Sequence, residues 1–135
     1  MSCREITVSS RALGPRLYVR VCVYDTVTEM RDAAARYNGN DVSEAVGVTQ
    51  ALVDQDRRAG SVTVRLTRER LGATVVSHEM HHAATALYGA HVGDRISRTA
   101  HLNHYNEPFT HLFSDLFGSL VRRLYALGYY DEAVA

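Results

Sequence analysis

The sequence has no long apolar run, no excess of charge of either sign and only two cysteines. No stretch approaches the ~18 apolar residues that a membrane span needs, so no transmembrane helix is expected. The start, "MSCREITVSS", lacks a basic segment followed by an apolar run and does not read as a signal peptide. Fifteen basic and fifteen acidic side chains cancel. That balance argues against a broad phosphate-binding surface, because nucleic-acid binders carry a clear basic excess. Cys3 and Cys22 have none of the spacing of a metal knuckle or a redox motif. They are expected as free thiols in a reducing compartment, with a Cys3–Cys22 bridge as the alternative. Internal repeats and low-complexity segments are also lacking. The expectation is a cytoplasmic protein with neither a nucleic-acid nor a membrane partner.

What is present is enough for one buried core. The chain has 135 residues, of which 46% are hydrophobic, so residues 1–135 are expected to form a single domain. "REITVSS" and "RLYVRVCVY" alternate in β-rich residues around the turn "ALGP" and read as a hairpin. "TVTEMRDAAARYNG" reads as a helix, with Asp25 or Thr26 as N-cap and Asn38-Gly39 as its stop. "AVGVTQALV" (Ala45–Val53) and "SVTVRLT" (Ser61–Thr67) are strands separated by a polar turn. A helix is expected from about Leu71 to Tyr88, closed by Gly89, and another from Pro108 to Leu127, stopped by Gly128. The order ββαββαα implies an α+β domain, a small antiparallel or mixed sheet packed on the two later helices.

All seven histidines fall between positions 78 and 111, and "HEMHH" within them matches H-E-x-x-H. The spacing has a mechanism. His78 and His82 lie one helical turn apart on one face, so both imidazoles can reach a single zinc ion. Glu79, about 100° round the helix, can hold a metal-bound water without ligating the metal. Zinc brings the pKa of such a water towards ~7, and Glu79 can then serve as general base. The bare pattern arises by chance in roughly 2% of sequences of this composition, so its helical context has to carry much of the weight. Val75, Val76, Met80, Ala83, Ala84 and Leu87 supply it, being placed to bury the helix. A histidine-rich helix without metal is the bland alternative.

A catalytic zinc needs a third protein ligand and one open position. Thr85 and Tyr88 stand where a metzincin would carry glycine and histidine. "SHEMHH" followed by "NEPFTHLFSDLFGSLV" resembles instead the gluzincin pattern, in which a glutamate opening a second helix completes the His-Glu-His site. From about Ser61 to Tyr125 the chain is similar to the minimal zincin-type metallopeptidases of small bacterial and phage proteins. The resemblance implies that Glu107, 25 residues after His82, is the third ligand. His111, His104, His91 and Asp94 are the other candidates. His111 stands where thermolysin-like enzymes carry a supporting aspartate, and Asp115, a turn further on, is a candidate for that role. Because Glu107 precedes Pro108, the last helix is expected to begin at the proline with Glu107 at its mouth. His101, His104 and Tyr105 are candidate donors to a tetrahedral oxyanion. His81 is expected as a neighbouring or surface histidine.

The implied function is zinc-dependent hydrolysis of a peptide bond, Glu79 acting on a metal-activated water and Zn2+ as cofactor. A peptide or protein substrate would lie along a sheet edge, at either Ala45–Val53 or Ser61–Thr67. Two alternatives differ in class. One is a catalytically silent zinc-binding regulatory or interaction protein on the same scaffold, and the other is metal-dependent hydrolysis of a non-peptide amide.

Overall fold

A computed structural model describes residues 3–38, 42–53, 59–92 and 107–131. Its elements follow the order β1 (Arg4–Ser10), β2 (Leu17–Tyr24), α1 (Val27–Asn38), β3 (Val48–Val53), β4 (Ala59–Thr67), α2 (Ala73–Val92) and α3 (Glu107–Ala126), with a 3-10 turn at Arg68–Arg70. The four strands form one mixed sheet in the order β1-β2-β4-β3. β1 and β2 are the expected antiparallel hairpin. β4 then enters beside β2 in parallel, and β3 pairs antiparallel on its far side. β4 runs parallel to β2 because β3 follows the α1 crossover, starts at the end where β2 stops and runs back along the sheet before β4 is laid down.

Alternation assigns the two faces. Ile6, Val8, Val19, Val21, Val23, Val62, Val64 and Leu66 point to one side and form the main core with α2 and α3. Cys22 and Tyr24 point to the other side, where Met30 of α1 covers them. α2 buries Val76, Met80, Ala83, Ala84 and Leu87, spaced at helical period. α3 buries Leu112, Leu116, Leu120 and Leu124, one per turn, and turns Phe109, Phe113 and Phe117 towards the same core. No helix among the described residues is long and apolar enough to cross a membrane.

The helix ends follow local chemistry. Thr26 caps α1, accepting from the Glu29 amide through Oγ1 at 3.2 Å, as one half of a capping box. Gly89 does not close α2, which runs on to Val92. A closing glycine of that type needs positive φ, and among the described glycines only Gly14 and Gly128 have it. α3 begins one residue earlier than expected, with Glu107 in its first turn and Pro108 following, where a missing N–H costs nothing. Its end is a Schellman motif. Gly128 N donates to Tyr125 O at 3.1 Å and Tyr129 N to Leu124 O at 3.1 Å, with Gly128 at φ 84°. Gly128→Ala is therefore expected to lower unfolding free energy by about 1 kcal/mol, because a Cβ disfavours this left-handed backbone. Urea titration of the two proteins measures the difference.

Candidate functional site

Because α2 lies flat on the sheet through its buried face, its other side is left beside the edge strand β3. His78 and His82 project there from successive turns. Their Nε2 atoms are 3.1 Å apart and the rings meet edge to face. Two imidazole nitrogens on one tetrahedral zinc, each about 2.0–2.1 Å from the metal, lie about 3.3–3.4 Å apart. The observed separation is close to that value, although here the two nitrogens share a hydrogen bond with each other. This helix face stands between two clefts. One, of about 460 Å³, runs between α2 and β3 and is lined by Gly47, Thr49, Ala51, Glu79 and both histidines. The other, of about 400 Å³, lies towards α3 and is lined by Thr74, Ser77, His81, Phe113 and the same histidines.

Glu79 is buried, with 6% of its surface exposed, although it borders the cleft. Two residues of the β3 segment hold it. Thr49 Oγ1 lies 2.8 Å from Glu79 Oε1 and 3.0 Å from the Glu79 main-chain oxygen. With a single hydrogen, the hydroxyl donates fully to only one of them at a time. Gly47 packs against the same side chain: a Cβ there would lie 2.8 Å from Glu79 Cγ. The carboxylate is thus fixed through Oε1, while Oε2 lies 4.0 Å from His78 Nε2. A buried carboxylate thus lies beside the paired imidazoles, close to His78.

The remaining expected residues fall elsewhere. Glu107 is in the first turn of α3 and pairs with His111, Oε2 to Nε2 3.4 Å, both side chains about two-thirds exposed. The reason is the phase of the helix. His81 packs edge-on against Phe109 and Phe113, at 5.4 and 5.8 Å between ring centroids. Each phenylalanine is two residues after Glu107 or His111, about 200° further round the helix. Glu107 and His111 therefore face away from α2. Among the described residues, no third histidine, cysteine or carboxylate ligand atom lies within 4.8 Å of both imidazole nitrogens. Asp115 is engaged at β1, where Ser10 Oγ donates to its Oδ2 at 2.6 Å. His91 follows His82 by nine residues, two and a half turns, which puts it on the opposite side of α2. Asp94, His101, His104 and Tyr105 lie outside the described residues.

Thr49 and Gly47 did not stand out in the sequence. The available signal was the alternation Gly47, Thr49, Ala51, three small residues two apart that let a helix approach one side of β3. The chain matches no known protein family, no curated protein and no solved structure. Gly47→Ala is expected to destabilise the protein by about 1–3 kcal/mol, since the new methyl has to displace a buried side chain. Thermal unfolding tests this, and Gly72→Ala, where a Cβ meets nothing within 4 Å, is the control.

Proposed function

We propose that the protein is a zinc-dependent metallopeptidase of gluzincin type. His78 and His82 are metal ligands in this reading, Glu79 is the general base and Glu107 the third ligand. The observation that carries it is the 3.1 Å approach of the two Nε2 atoms beside a buried carboxylate whose Oε2 lies 4.0 Å from His78 Nε2. Zinc, when bound, supplies the Lewis acid that polarises a scissile carbonyl and makes hydroxide available at neutral pH.

The chain's own residues do the rest. Thr49 holds Glu79 Oε1, which leaves Oε2 to accept a proton from the attacking water and later to deliver it to the leaving nitrogen. Burial beside Gly47 limits the rotamers of Glu79, so its carboxylate is positioned before substrate arrives. β3 is the sheet edge on the cleft, so an extended substrate peptide adds there by main-chain hydrogen bonds, not along the central strand β4. Glu107 enters this reading from the gluzincin-like pattern alone, because it pairs with His111 on the face of α3 turned away from α2, and reaching the histidines would require α3 to turn or shift.

The test uses zinc-loaded protein with an unfolded protein substrate. Wild type is expected to cleave it, and Glu79→Gln to retain zinc while losing at least about 100-fold in rate, the contribution of a positioned acid–base group. Cleavage that Glu79→Gln leaves unchanged, or zinc-loaded wild type without turnover on a panel of unfolded proteins, would contradict the reading.

A further inference from the structure

Cys3, Glu5 and Cys22 are far from the histidines, yet strand register gathers them. Glu5 is directly opposite Cys22 in the β1–β2 ladder. Cys3, two residues before Glu5, falls on the same side of the pleat. That side is the one covered by α1, where Cys3 packs against the cluster of Cys22, Tyr24 and Met30. One ligand atom from each of the three residues lies within 4.8 Å of the others. Around a tetrahedral zinc, S···S and S···O separations are about 3.6–3.8 Å, so the three need close by only about 1 Å.

We infer that Cys3, Glu5 and Cys22 form a second metal site, for a thiophilic divalent cation such as zinc, on the α1 face of the sheet. Three observations point the same way. The group combines two thiols with a carboxylate, a donor set suited to zinc and poorly suited to magnesium or calcium. The carboxylate is already held in place, because Arg20 donates through Nε (3.1 Å) and Nη2 to Glu5 Oε1. Outer partners of this kind commonly support metal ligands. The charges also close, since two thiolates and a carboxylate balance a divalent ion together with the Arg20 guanidinium.

The setting gives the ion a path and a role. Cys22 is fully buried, Cys3 half-buried and Glu5 exposed, so a cation enters past Glu5 and ends against the covered sulfur. A bound ion takes the place of the thiol protons of Cys3 and Cys22. Held this way, the ion ties the start of β1 to β2 beneath α1 as a structural staple.

The test is a titration of reduced protein with cadmium(II), followed in the ultraviolet by the thiolate-to-cadmium charge-transfer band. It is done in the His78→Ala/His82→Ala background, so failure of the peptidase reading leaves it unaffected. The band is expected to saturate near one equivalent, to be reversed by excess zinc and to be lost in Cys3→Ser. Arg20→Gln is expected to retain the band and weaken cadmium affinity about 10–100-fold, as loss of an outer partner does. Cys3→Ser alters a half-buried residue ahead of β1, and circular dichroism verifies its fold. The inference is overturned if no band forms while both thiols titrate as free after unfolding, or if the band survives in Cys3→Ser. A Cys3–Cys22 disulfide that re-forms under reducing conditions and excludes cadmium would overturn it equally.

Discussion

The close seating of α2 on the sheet sets everything else in the cleft. Ala83 and Ala84 are fully buried at the centre of the contact, with Val76, Met80 and Leu87 around them. Small residues there bring the helix axis near the strands, and a tightly packed interior leaves little freedom to shift it. With the axis fixed, side chains about 100° apart have fixed destinations. Glu79 is driven against the β3 segment, where Gly47 makes room and Thr49 makes the hydrogen bond. His78 and His82 are turned out over the cleft, one turn apart.

The same packing logic separates the two ends of the expected site. α3 is held by four leucines at four-residue spacing and by Phe109 and Phe113 against His81. That phase fixes where Glu107 and His111 point, and they pair with each other on the outer face.

Much of this was legible in the sequence because it rests on local periodicity. The alternation of β1 and β2, the capping box at Thr26 and the one-per-turn leucines of α3 each announce themselves within a dozen residues. The relation of His78, Glu79 and His82 is equally local, since four-residue spacing on a helix implies the shared face. What remained hidden depends on distant pairing. The parallel insertion of β4 beside β2 leaves no local mark, nor does the identity of β3 as the edge on the cleft. Cys3 and Cys22 look unrelated at a spacing of nineteen, and only the β1–β2 register sets them beside Glu5. The phase of α3 was implicit in Phe109 and Phe113, but assigning it required knowing which helix they meet.

The central claim is that His78 and His82 bind one metal ion through their Nε2 atoms. Imidazole nitrogen NMR on uniformly ¹⁵N-labelled protein, with zinc added stepwise, tests it most directly because it resolves single nitrogens. The account predicts that the Nε2 signals of these two residues move to the metal-bound range together and saturate together, while neither Nδ1 signal does. Histidine signals from 78 and 82 that stay unchanged at saturating zinc would contradict it.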